Sequence, residues 1–228
     1  MKQISTFLLI ALFCLPGCST LQSLIAEPTS LETITALREV LNSSTFKAIS
    51  TLSRLNKDGV AAVLPQEIQP VLNTLKKLGL GGEIDKVTSV IGNVSGEVAK
   101  ESGGIMKDAI AELNFGDAVA VVLGGEDAAT RVLKQAMYGS VKKRYSSRLE
   151  TELGKTEALK YWPMASGAYN IFAKNKVDSS LSDFLSERAV DALFLTMGKE
   201  ESKIREKPAS LGNAVVTKVF DYYKNRKK

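Results

Sequence analysis

The 228-residue chain has no histidine, a single tryptophan and only two cysteines. Without imidazole there is no histidine-based triad, no imidazole zinc site and no histidine pH switch. Cys14 and Cys18 both lie near the N-terminus, so the body of the chain has neither a disulfide framework nor a dithiol redox centre. Apolar runs never approach the ~20 residues of a spanning helix. No segment alternates apolar and polar residues over the length a half-buried strand needs, and no Asn-Gly or Asp-Gly hairpin joins two such runs. What remains is 44% apolar and 24% charged, the balance of one packed domain, which excludes disorder, collagen-like repeats and a multi-span membrane protein.

The N-terminus reads as an address. Lys2 supplies a positive start, and Phe7 to Leu15 is an unbroken apolar run of nine residues, the length of a secretory signal core. Leu15-Pro16-Gly17-Cys18 follows and resembles the bacterial lipobox. That resemblance implies cleavage before Cys18 and a thioether from its sulfur to diacylglycerol, with each buried methylene contributing about 0.8 kcal/mol of membrane affinity. A Cys14–Cys18 disulfide is the alternative, but Cys14 belongs to the segment that cleavage removes. Ser19, where aspartate would favour the inner membrane, implies sorting to the periplasmic face of the outer membrane in a Gram-negative cell. Residues 19–30 are polar and small and end in Glu27-Pro28-Thr29-Ser30, as a tether would. The expected organisation is a signal peptide over 1–17, a lipidated tether over 18–30 and a helical domain over 31–228.

Helical spacing dominates the domain. Thr29 and Glu32 form a capping-box pattern ahead of Leu31, Ile34, Leu37, Val40 and Leu41. Phe46, Ile49, Leu52 and Leu55 continue the series to Asp58-Gly59. Pro65 opens another helix, which Gly79 is placed to end. Ile84, Val87, Ile91, Val94 and Val98 mark a glycine-rich helix in which Gly92 and Gly96 permit close packing; a hinge at Gly103-Gly104 is the alternative. Gly79-Leu80-Gly81-Gly82 is no phosphate loop, because Glu83 follows where Lys and Ser or Thr are needed. Further helices are expected over 105–113, 117–123, 127–149, 156–172 with an interruption or kink near Pro163, 179–204, and 209–223. The fold class is all-α: a single compact domain of about seven to ten short helices.

Basic residues are clustered. Arg131, Lys134, Lys142, Lys143, Arg144 and Arg148 occur without an intervening acid, and the chain closes on Lys224, Arg226, Lys227 and Lys228. Neighbouring tyrosines make nucleic acid conceivable, but an exported chain without a nucleic-acid motif argues against it. A solvated helix face is favoured, with attraction to anionic lipid headgroups second.

No catalytic, metal-binding or cofactor pattern emerges, and an enzyme is the less favoured expectation. A polar cluster is nevertheless worth following: Asp127, Thr130, Asp191, Glu200, Glu201 and Arg205. On the stripe Leu181, Phe184, Leu185, Ala192, Leu193 and Met197, the period calls for apolar residues at 200 or 201, where two glutamates stand. Arg205 follows Glu201 at the favourable i,i+4 spacing, so a structural ion pair at the core's edge is the first reading and a polar ligand site the second. Gly124-Gly125-Glu126-Asp127 reads as a helix stop and restart. Tyr161-Trp162-Pro163 and Tyr169-Asn170 read as core aromatics near a kink, with a pocket for a ring or acyl chain as the alternative.

Gly124 to Thr130, the Leu78 to Gly82 segment, and the run from Glu187 through Asp191-Ala192-Leu193-Phe194, Glu200-Glu201, Ile204-Arg205 and Pro208 to Lys218-Val219-Phe220 together resemble the bacterial family catalogued as domain of unknown function 4197. The resemblance spans roughly 31–220 and implies an exported helical protein, often a lipoprotein, without an assigned activity. Leu211-Gly212-Asn213 departs from that pattern, which expects an arginine followed by threonines, and Ala192 stands where glycine is usual. The expected role is a non-enzymatic binding or scaffolding module, held to the membrane through Cys18, whose partner is an envelope protein, lipid or polymer. The rivals are a hydrolase using paired carboxylates from Glu200, Glu201 or Asp127, and a carrier of a small apolar ligand, which needs a pocket of ~300–1,000 Å³.

Overall fold

The computed structural model describes residues 26–54, 69–77 and 79–226. Cys18 and the lipobox lie outside the described residues, as does the start of the helix expected from Pro65. Among the described residues every regular element is helical. The order is α1 (Ser30–Leu52), α2 (Gln69–Lys77), α3 (Gly81–Glu112), α4 (Ala118–Leu123), α5 (Ala128–Leu153), α6 (Ala158–Phe172), α7 (Leu181–Glu206), a 3₁₀ turn (Pro208–Leu211) and α8 (Ala214–Arg226).

α1 opens on the expected capping box. The Thr29 hydroxyl accepts from the Glu32 amide at 3.1 Å, and the Glu32 carboxylate accepts from the Thr29 amide at 2.8 Å. Lys218 of α8 donates to the other Glu32 oxygen at 2.6 Å, holding that carboxyl below its usual pKa and pinning the start of the domain to its last helix.

The two apolar series before Asp58 run on as one 23-residue helix, as their continuous spacing predicts; Leu55 and the break expected at Asp58-Gly59 lie outside the described residues. The break expected ahead of a helix over 105–113 is absent, since α3 runs 32 residues through Gly103-Gly104. The glycines there serve packing: a Cβ on Gly103 would stand 3.1 Å from Ile49 Cδ1, and one on Gly96 would stand 3.6 Å from the Ser53 backbone. α1 and α3 approach at these positions, so burial against a neighbour outweighs the ~1 kcal/mol helix penalty of each glycine. α6 likewise continues past Pro163, its sixth residue, although proline has no N–H to donate to the Leu159 carbonyl one turn back.

The C-terminal segment departs the other way. Where one helix is expected over 209–223, a 3₁₀ turn ends at Gly212 in the left-handed region, at φ +68°. Asn213 then restarts the chain, its side-chain oxygen accepting from the amides of Val215 and Val216 at 3.0 and 3.1 Å. This divergent Leu211-Gly212-Asn213 stretch is thus a helix junction.

α5 and α7 form the most extensive interface and run antiparallel: Ser146 bonds Asp183 near one end, while Ala129 and Thr130 meet Glu201 at the other. α1 lies across α7, α3 and α8. Leu37, Leu41, Met106, Leu133, Leu149, Leu193, Met197 and Ile204 are among the residues wholly removed from solvent where these helices meet. Trp162 is buried against Phe184, ring centroids 5.5 Å apart, and its indole N–H donates to the Asp178 carbonyl at 3.0 Å. Asn170 brackets Val177 with two 2.8 Å bonds, closing the loop after α6. These aromatics therefore belong to the core, and the cavity beside Trp162 is only about 50 Å³.

Of the basic run on α5, Arg131 pairs with Asp127, Lys134 with Asp191 at 2.9 Å, Lys142 with Glu187 at 3.5 Å and Arg148 with Glu97 at 2.9 Å. The cluster is largely a set of bridges from α5 to α7 and α3, with Lys143 and Arg144 left to line an open groove.

Candidate functional site

Between α4 and α5 the chain reverses over Gly124-Gly125-Glu126-Asp127, and local sterics explain the glycines. A Cβ on Gly124 would fall 2.7 Å from the Ala128 Cβ, and one on Gly125 would fall 3.2 Å from the Arg131 guanidinium. α7 closes over the turn at Gly198, where a Cβ would stand 3.1 Å from that of Asp127.

Such a reversal brings the carbonyl end of one helix beside the amide end of another, both needing polar partners. One ion pair on α7 serves both. Glu201, with no exposed surface, accepts from the Ala129 amide at 3.0 Å through one oxygen and from the Thr130 amide at 2.7 Å through the other. Arg205 donates to Glu201 from Nε at 2.7 Å and, at the far end of its fork, to the carbonyls of Val122 at 2.8 Å and Val121 at 3.1 Å. The carboxylate thus sits at the positive end of α5 and the guanidinium at the negative end of α4. Phe220 of α8 lies under the guanidinium, 5.1 Å from its ring centroid.

The six residues of the sequence-derived cluster do not share one place. Glu201, Arg205 and the backbone of Thr130 meet in the strut; the Thr130 hydroxyl is buried with no hydrogen-bond partner. Asp127 stands at the start of α5 but pairs with Arg131, while Glu201 takes the capping role. Asp191 is farther along α7, bridged to Lys134. Glu200 turns aside to Lys203 at 2.5 Å and Lys47 at 4.0 Å.

Above the strut opens a cleft of about 460 Å³. Its walls are the Gly124-Gly125-Glu126 turn, the end of α7 at Ser202, Arg205 and Glu206, and the end of α8 at Tyr223 and Lys224. Ser202 donates to Glu126 at 3.1 Å, and the Lys224 ammonium donates to the Glu206 carbonyl at 3.1 Å. Glu206, Tyr223 and Lys224 are functional-site candidates that sequence spacing misses, because their proximity to residue 124 depends on how α8 folds back. Arg205 both holds the turn and lines the cleft, whereas Glu201 is enclosed and Glu126, Glu206 and Lys224 are exposed at the cleft.

Fold and site together define an all-α domain in which a buried ion pair on α7 ties two helix ends together beneath a small cleft of mixed polarity. The chain belongs to the family described as protein of unknown function (DUF4197), whose model matches residues 27–221. No curated protein and no solved structure matches the chain.

Proposed function

We propose that the protein is a lipid-anchored, non-enzymatic binding module on the periplasmic face of the outer membrane, with the cleft above the Glu201–Arg205 strut as its binding surface. The address rests on Cys18 at the end of a lipobox-like sequence. The binding role rests on one structural observation: Glu201, the most buried carboxylate among the described residues, has both oxygens engaged by two helix-end amides and an arginine. A carboxylate so engaged holds structure together, and what it holds is a fixed turn lining a solvent-filled cleft.

The carboxylate-hydrolase reading draws less support, since Glu200, Glu201 and Asp127 do not line that cleft. The cavity beside Trp162, at about 50 Å³, falls well short of the ~300 Å³ or more that a small-molecule carrier uses.

Two measurements test the proposal. Cys18→Ser should move the protein out of the membrane fraction; retention there would remove the anchor. A photoreactive side chain at Glu206, facing the cleft, should crosslink in intact envelopes to an envelope protein or polymer, while one at Glu150 on the far part of α5 should not. Equal labelling from both positions would remove the cleft as the binding surface.

A further inference from the structure

α6 turns Trp162 and Ser166 inward, where they are buried, and carries two exposed large apolar residues on its outer face. Met164 is 57% and Ile171 73% exposed, one helical stripe apart at i,i+7. Gly167 lies between them, with nothing within 4 Å of where its Cβ would stand, so the stripe is shallow and open. Lys160 begins the same stripe with 69% of its side chain exposed, and exposed Lys174 and Lys176 follow the helix end. Lys155, exposed just before the helix, pairs with Glu152 at 2.7 Å, and Lys160 with Glu157 at 3.3 Å, so acids balance the lysines at this end; Glu83 also accepts from the Glu157 amide at 3.4 Å, and Asp178 is the exposed acid beyond Lys176. Tyr161, half-buried, has the Lys160 ammonium 5.3 Å from its ring centroid.

We infer that this face of α6 rests on a bilayer surface carrying anionic headgroups. Apolar side chains in the middle and lysines at both ends match an interfacial helix, whose apolar groups enter the headgroup boundary while flexible ammonium groups reach lipid phosphates. No helix among the described residues is long and apolar enough to cross a membrane, so the contact is peripheral. Exposed Lys174 and Lys176 at the C-terminal flank favour lipid phosphate as the occupant, with the paired Lys155 and Lys160 at the other end free to exchange surface carboxylates for it. The inference adds to the proposed anchor and draws on it for proximity to lipid: a tether fixes only that the domain stays near the bilayer, whereas this face fixes which side turns toward it.

The test is label accessibility at position 171. Protein purified from membranes, bearing Ile171→Cys and a nitroxide label, is placed in vesicles of phosphatidylethanolamine and phosphatidylglycerol. Collisions with oxygen, which concentrates in lipid, are compared with collisions with a water-soluble nickel chelate, and Glu150→Cys on α5 serves as the solvent reference. Position 171 should favour oxygen and position 150 nickel, and the preference at 171 should fade in purely zwitterionic vesicles. Nickel access at 171 equal to that at 150 overturns the inference. So does shielding from both agents together with a crosslinked dimer, which would place a second copy on the face. The mass of the N-terminal peptide from the same preparation reports acylation separately. If Cys18 proves unacylated, the label is read in a Cys14→Ser/Cys18→Ser background added to preformed vesicles, so anchor and surface contact fail independently.

Discussion

At the scale of single residues, the Glu201–Arg205 pair has the largest predicted effect. Removing one member of a buried, hydrogen-bonded pair leaves an uncompensated charge, and Arg205 also satisfies two carbonyls at the end of α4. Arg205→Ala should lower unfolding free energy by ~3–5 kcal/mol. Combined with Glu201→Gln, the loss should be smaller than the sum of the single losses by ~0.5–3 kcal/mol, as read from denaturant unfolding. Full additivity would mean the two side chains act independently. Two glycines make an opposed pair. Gly124→Ala forces a 2.7 Å contact onto Ala128 and should destabilise by ~1–3 kcal/mol. Gly139→Ala meets nothing on the exposed surface of α5 and should stabilise by ~0.5–1 kcal/mol. Thermal melts of the two variants should therefore shift in opposite directions.

Tyr145 gives the domain an alkaline limit. Burial raises its phenol above the ordinary value of 10.0, so the folded chain keeps it neutral while the unfolded chain ionises it. A raised folded pKa means the stabilisation is complete below pH 10 and is lost as pH climbs past it. Unfolding followed from pH 8 to pH 11 should show falling stability, and Tyr145→Phe should flatten that fall. A slope unchanged in the variant would assign the loss to other groups.

At the scale of elements, most helices were legible because their signals are local. The capping box at Thr29 and Glu32, the heptad-like stripes and the glycine at position 79 each act within a turn or two of the chain. Thr29→Ala should accordingly cost about 1 kcal/mol in thermal unfolding, with α1 shortened at its start. The joints were less legible. Whether Gly103-Gly104 bends α3 depends on Ile49 of another helix, and whether 209–223 forms one helix depends on a left-handed Gly212 that local propensity does not announce.

The site shows the same division. An i,i+4 Glu–Arg pair is visible from spacing alone, but its depth and its links to residues 121, 122, 129 and 130 rest on contacts more than seventy positions apart. Asp191 and Glu200 fall away from Glu201 for a geometric reason. Each residue turns an α-helix by about 100°, so Glu200 lies roughly 100° to one side of Glu201 and Asp191 roughly 80° to the other. Arg205, about 40° away, keeps the same face. Proximity in sequence grouped them, and helical phase separates them.

At the scale of the molecule, the proposed N-terminal anchor leads into a packed helical body. The capping box and the Glu32–Lys218 bridge fix where the described domain begins, at the residues where the polar tether is expected to end. The cleft opens between the ends of α7 and α8, and the apolar stripe of α6 faces outward from the body. Envelope partners for the former presuppose that the chain is exported and acylated at one sulfur, and the same anchor would keep the latter close to lipid. The mass of the N-terminal peptide released from protein purified out of native membranes reads this directly. The expected peptide begins at Cys18 and carries the added mass of diacylglyceryl and fatty-acyl groups. A peptide that begins at Met1, or an unmodified Cys18, would contradict it.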